Sequence, residues 1–145
     1  FMAYVHIAHD CNIGNNVILV NAVQAAGFVT IDDNAVVGGL TPIHQFCKIG
    51  KFSFIGGGLR IVQDVPPYIL ANGEPLKFSG LNSIGLRRNN FSSRSINEIK
   101  RAYKLIFKSE FNISQSVEKI KSEFERSSEI DDIICFIENS KRGLI

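Results

Sequence analysis

The sequence predicts a β-solenoid of hexapeptide repeats, joined by a connecting stretch to a C-terminal α-helical domain. Three observations carry this. Every sixth residue from Phe1 through Ile7, Ile13, Leu19, Ala25 and Ile31 to Ile61 is apolar. The pattern stops at Pro66-Pro67, where two prolines remove ladder donors. From Phe91 the apolar spacing changes to that of a helix.

A period of six suits neither a helix nor a half-buried strand. It suits a triangular coil in which each hexad makes one flat side and its turn. The aliphatic residue points inward, and a small residue such as Ala8, Gly14, Gly38 or Gly50 follows it at a crowded corner. A second series, from Val5, Cys11 and Val17 to Cys47, Ser53 and Val65, holds small or medium residues. Three hexads close one coil of eighteen residues, and coils stack as parallel strands ~4.8 Å apart. An ordinary sandwich would need hairpin turns at 8–12-residue spacing, whereas the turn residues here keep phase with the hexads. The solenoid is expected over 1–72 and a connecting loop over 73–90, within a looser Tyr68–Asn90 stretch. The helical domain is expected over 91–145. Its helices are expected from Ser93 or Ser95 to about Lys108, from Ser114 to Arg126, and from Glu129 to Asn139 after a Ser128 cap.

Composition narrows the function classes. The 145 residues are 45% hydrophobic and 21% charged, with a net charge of +2. That is globular composition, with no basic block for wholesale nucleic-acid binding and no apolar run for membrane insertion. Three cysteines point to a reducing compartment. Cys11 and Cys47 read as small core fillers, since two coils separate them by ~9.6 Å, beyond disulfide reach. The opening Phe1-Met2-Ala3-Tyr4-Val5 reads as the middle of a strand, so further N-terminal coils are expected.

Residues eighteen apart share a place on successive coils. His9, Gly27, Gln45 and Gln63 form one column, and His6, Gln24 and Pro42 another. Histidine is the ordinary general base at neutral pH, and the adjacent Asp10 can fix its tautomer. A glycine one coil above lets backbone N–H approach a developing oxyanion. The column therefore nominates His9 as catalytic. A zinc site needs converging histidines, but His44 lies nearly two coils from His9, so no metal is expected. Thr30 and Thr41 alone are too few for the threonine ranks of an ice-binding solenoid.

The runs His6-Ile7-Ala8-His9-Asp10-Cys11, Gly38-Gly39-Leu40-Thr41-Pro42-Ile43-His44-Gln45-Phe46 and Gln63-Asp64-Val65-Pro66-Pro67-Tyr68 resemble the acyl-carrier-protein–UDP-N-acetylglucosamine O-acyltransferases of lipid A biosynthesis. Arg101-Ala102-Tyr103-Lys104-Leu105-Ile106 and the ending Lys141-Arg142-Gly143-Leu144-Ile145 agree with them. The resemblance implies a left-handed parallel β-helix, a homotrimer with sites between subunits, and a bacterial, cytoplasmic setting. It implies transfer of a 3-hydroxyacyl chain from acyl carrier protein to the sugar 3-hydroxyl, with no cofactor beyond the acyl donor. His9 would be the base, Asp10 its orienter and the Gly27 N–H the oxyanion donor. His6, His44, Gln45, Asn82 and Arg88 would contact substrate, and Gly57, 2.67 coils above His9, would limit acyl-chain length. Two departures stand out: Phe28 where the family usually has His, and Asn89 where it usually has a second Arg. Another hexapeptide acyltransferase, N-acylating or acetyl-CoA-dependent, and an inactive truncated solenoid are the alternatives.

Overall fold

The computed structural model describes all 145 residues, Phe1 to Ile145. Nine two-residue strands come first: β1 (His6–Ile7), β2 (Asn12–Ile13), β3 (Ile18–Leu19), β4 (Gln24–Ala25), β5 (Thr30–Ile31), β6 (Val36–Val37), β7 (Pro42–Ile43), β8 (Lys48–Ile49) and β9 (Phe54–Ile55). They stack as three parallel sheets, β1-β4-β7, β2-β5-β8 and β3-β6-β9. Partners are eighteen residues apart, as in His6↔Gln24, Asn12↔Thr30 and Ile18↔Val36. The result is a three-faced prism. Its first and second faces meet at the His9 edge, its second and third at the Asn15 edge, and its third and first at the Gly57 edge.

Both apolar series point inward. Leu19, Ile31, Val37 and Ile49 from the first series and Val23, Val29, Ala35 and Cys47 from the second are buried. Burial pushes the Cys47 thiol up to about 11, so it stays a protonated core filler. Each hexad turns on one left-handed residue, and that residue is rarely glycine: Asp10, Asn16, Ala22, Phe28, Asn34, Leu40, Phe46 and Phe52 all have φ between 56° and 68°. Such a conformation costs about 1–2 kcal/mol per L-residue, and the ladder offsets it. Phe28 N–H donates to His9 O at 3.1 Å, Asn34 N–H to Asn15 O at 2.9 Å and Leu40 N–H to Asn21 O at 2.9 Å. The small position after the aliphatic is explained at Gly38, where an added Cβ would run into the Gly57 backbone.

The fourth coil departs from the eighteen-residue map. Ile61 still bridges Ile43, but Val65 bridges Ile49, only sixteen residues away. Two residues are lost at the turn, so Val65 takes the aliphatic place and Gln63 leaves the His9 column. The C-terminal tail replaces the missing corner: Asp64 N–H donates to Gly143 O at 2.8 Å, and Ile145 N–H to Asp64 O at 3.1 Å.

The stretch expected to be a loop is largely ordered structure. β10 (Ile69–Asn72) pairs in parallel with β9, and β11 (Lys77–Leu81) folds back antiparallel on β10. Gly73 and Pro75 mark the hairpin connection rather than a long loop, and the hairpin covers the edge that β9 would otherwise expose. α1 (Ser83–Arg88) follows, with Asn82 as its N-cap and Asn89 as its C-cap.

The appendage holds three longer helices: α2 (Ser93–Lys108), α3 (Ile113–Glu123) and α4 (Ser128–Glu138). Their caps are Ser92, Asn112 and Ser127, each accepting from an N–H in the first turn. Those caps sit one or two residues before the expected starts, and Phe124 lies just past the end of α3. Buried Ile96, Ile99, Tyr103, Ile130 and Ile133 join the solenoid interior in one continuous core. Phe52 stacks on Tyr68 at 6.1 Å and meets Phe91 at 5.0 Å, which fastens the Asn15 edge to the appendage. No helix is long and apolar enough to cross a membrane.

Candidate active site

The His9 edge brings together most of the nominated residues. His9 and Asp10 occupy the first turn, Gly27 and Phe28 the second, and Gln45 and Phe46 the third, with His44 beside them. His9 Nδ1 lies 2.9 Å from Asp10 Oδ2. With the proton on Nδ1, Nε2 presents a free lone pair. The imidazole rests directly over Gly27, where an added Cβ would lie 2.8 Å from His9 Cε1 and 2.9 Å from Nε2. Gly27 is therefore required for a close approach rather than for its φ.

The Gly27 N–H donates to no acceptor in the chain. The equivalent turn on the Asn15 edge shows what such a donor does: Asn15 N–H binds Asp33 Oδ1, from the coil above, at 2.7 Å. Asn15 takes up a carboxylate oxygen at this turn position, whereas the donors of Asp33, Lys51 and Gly27 stay open, that of Gly27 beside an imidazole. Oxyanion stabilisation needs a preorganised donor of that kind.

His6 is exposed on the first face, in register with Gln24. His44 is exposed on the same edge as His9, with Nδ1 3.2 Å from Gln45 O. Three nominated residues lie elsewhere. Asn82 belongs to the Asn15 edge, where Nδ2 donates to Phe52 O at 2.9 Å and Oδ1 accepts from Gly85 N–H at 3.3 Å. One Nδ2 N–H and the second lone pair of Oδ1 remain for a ligand. Arg88 is exposed in the last turn of α1 and pairs with no carboxylate. Asn89 closes α1, its Nδ2 donating to Gly85 O at 2.8 Å. Gly57 stands on its own edge, with its Cα facing Gly39 O. It does not lie straight above His9, as a purely axial count would put it.

Phe46 was not singled out by the sequence reading, yet it stacks on Phe28 at 5.1 Å. The eighteen-residue spacing of the two phenylalanines was the available signal. The outward apolar residues Ile18, Val36 and Phe54 also lie away from the His9 column, on the third face. The faces that flank His9 present His6, Gln24 and Pro42 on one side and Asn12, Thr30 and Lys48 on the other. A cleft of about 610 Å³ between the second face and α4 shares no residue with the site. Asp32 there has its carboxyl raised by burial, with Lys51 opposing the shift.

The stacked hexad coils define a hexapeptide-repeat solenoid, and one of its edges lays the His9 imidazole against a bare glycine turn. Residues 64–145 match the family described as UDP-N-acetylglucosamine O-acyltransferase, domain 2. The chain is a member of that UDP-N-acetylglucosamine O-acyltransferase family. It is 44% identical over 97% of its length to the acyl-[acyl-carrier-protein]–UDP-N-acetylglucosamine O-acyltransferase of Aliivibrio salmonicida, of which it covers 54%. The solved UDP-N-acetylglucosamine acyltransferase of Bacteroides fragilis superposes with a TM-score of 0.96 at 46% identity, over 98% of this chain and 56% of that one. The Acinetobacter baumannii structure gives 0.93 at 44% identity, over 97% and 55%. The chain thus spans about half the length of the curated relatives it matches.

Proposed function

We propose that the chain carries the catalytic edge of an acyltransferase that moves a 3-hydroxyacyl group from acyl carrier protein to the 3-hydroxyl of UDP-N-acetylglucosamine, the first step of lipid A biosynthesis. The observation that supports this best is the His9 imidazole, held at Nδ1 by Asp10 and lying against the Cα of Gly27, whose N–H is unpaired. Nε2 takes the proton from the sugar hydroxyl as its oxygen attacks the thioester carbonyl carbon. The carbonyl oxygen becomes an oxyanion and accepts from the Gly27 N–H. Collapse of the intermediate breaks the C–S bond, and the imidazolium returns its proton to the departing thiolate. No further cofactor enters this scheme.

The second element of the reading is assembly. Asn82 and Arg88 belong to a different edge from His9, so a second copy must bring them to it. The third face, with Ile18 45% and Phe54 42% exposed, offers an apolar surface for that contact. A head-to-tail contact repeated three times closes a ring, giving a homotrimer with a site at each junction. There Arg88 would meet the diphosphate, His6, His44 and Gln45 the sugar nucleotide, and Gly57 of a neighbouring copy the far end of the acyl chain. Three unpaired thiols fit the bacterial cytoplasm, where carrier-bound acyl chains are made.

The test is to incubate the longest natural polypeptide containing this sequence with 3-hydroxyacyl carrier protein and UDP-N-acetylglucosamine, then follow product mass. An ester-linked acyl sugar nucleotide is expected. An N-acyl product, or a donor left intact, contradicts the reading.

A further inference from the structure

We propose that Phe28, backed by Phe46, is a positioning residue that holds the His9 imidazole in place over Gly27. This rests on the reading of His9 as the base. Within one copy the side chain of His9 is 71% exposed and that of Asp10 is 64% exposed. A hydrogen bond so open to water holds a ring weakly, yet a general base must be kept within a few tenths of an ångström of its working place. Phe28 supplies a second hold. Its ring meets the imidazole at 5.3 Å between centroids and 88° between planes, the edge-to-face geometry that aromatic pairs prefer.

The backbone fixes this contact. Phe28 N–H donates to His9 O at 3.1 Å, and Phe46 N–H donates to Gly27 O at 3.2 Å. Ladder spacing therefore sets the three rings one above another on a single edge. Phe46 in turn stacks on Phe28 at 15° and limits its rotation. The core does not call for either ring: Phe28 and Phe46 remain 43% and 52% exposed. Phe28 stands at a left-handed turn position that Asn34 fills on the Asn15 edge in the same coil, while the counterpart of Phe46 there is Phe52, which is covered by Tyr68 and Phe91. An exposed aromatic ladder at strained turns, ending on a catalytic imidazole, is explained by what it does to that imidazole.

The experiment uses Phe28→Ala, Phe28→Tyr and Phe46→Ala in the longest natural polypeptide that contains this sequence, with two readouts. In aromatic proton–carbon spectra, the His9 ring protons carry ring-current shifts that Phe28→Ala removes and Phe28→Tyr keeps. In turnover, Phe28→Ala lowers kcat about three- to tenfold with KM for the sugar nucleotide unchanged. Phe28→Tyr restores kcat, and Phe46→Ala gives a smaller loss of the same kind. Unchanged His9 shifts in Phe28→Ala, an unchanged kcat, or a loss confined to KM each overturn the proposal. The last result makes Phe28 a substrate contact instead. Wild-type turnover by His9→Ala overturns the underlying reading, and it does so while leaving the ring-current result standing as a separate observation.

Discussion

The His9 and Asn15 edges of the prism are made from the same turn, repeated with the same ladder, yet they do opposite things. On the Asn15 edge the Asn15 N–H is closed by Asp33 at 2.7 Å while the N–H groups of Asp33 and Lys51 stay open, and the turn residue Phe52 is covered by Tyr68 and Phe91. On the His9 edge the Gly27 N–H has no partner, an imidazole lies against the Gly27 Cα, and Phe28 and Phe46 are left half in solvent. A donor satisfied within the chain stabilises the coil. The same donor left open beside a base can act on a substrate. What sets Gly27 apart is the imidazole beside its open donor, not the open donor alone.

The largest effect expected from disturbing that contrast is at the base. His9→Ala should lower turnover by about 10²–10⁴-fold, with the circular-dichroism spectrum unchanged because the side chain is outside the core. Activity above a tenth of the unaltered protein would remove His9 from its role.

Gly27→Ala keeps the N–H but puts a methyl where the imidazole rests. It should cost about 10²-fold in kcat by displacing His9, with little change in melting temperature. A melting loss without a rate loss would mean that the glycine serves the coil rather than the site.

Gly57→Met tests whether the third edge reaches the site across a junction. Each excluded methylene is worth about 0.8 kcal/mol, so preference should move to shorter hydroxyacyl donors by up to about two orders of magnitude. An unchanged chain-length profile places the limit elsewhere.

The smallest effect on rate belongs to the closed edge. Asp33→Ala frees the Asn15 N–H to water and should cost about 0.5–1.5 kcal/mol in stability, read from chemical denaturation, with kcat unchanged. A large rate loss would show that the two edges are coupled.

Legibility in the sequence follows this division. The hexad period, the inward series and the His9–Gly27 column could be read because strict eighteen-residue spacing maps number onto place. The map failed where spacing changed: the two residues lost between Ile61 and Val65 moved Gln63 out of its column. The hairpin and α1 were hidden because Gly73, Pro75 and Gly80 read equally as loop or as turns, and only the open edge of β9 decides between them. The open Gly27 donor could be suspected from glycine alone. Its contrast with Asn15 could not, because Asp33 closes that donor through a side-chain orientation. Asn82 and Arg88 could be nominated only through resemblance, and their distance from His9 within one copy emerged from the topology.

In the proposed assembly the Arg88 helix of one copy completes the His9 edge of the next. Arg88→Ala should itself be strongly impaired through loss of a fixed charge at the diphosphate. The direct measurement is to mix chains carrying His9→Ala with chains carrying Arg88→Ala, dissociate and reassemble them, and assay turnover. Random trimers place an intact His9 beside an intact Arg88 at about a quarter of junctions, so about a quarter of the unaltered activity should return. Turnover that stays at the level of the two separate variants would contradict a site shared between copies.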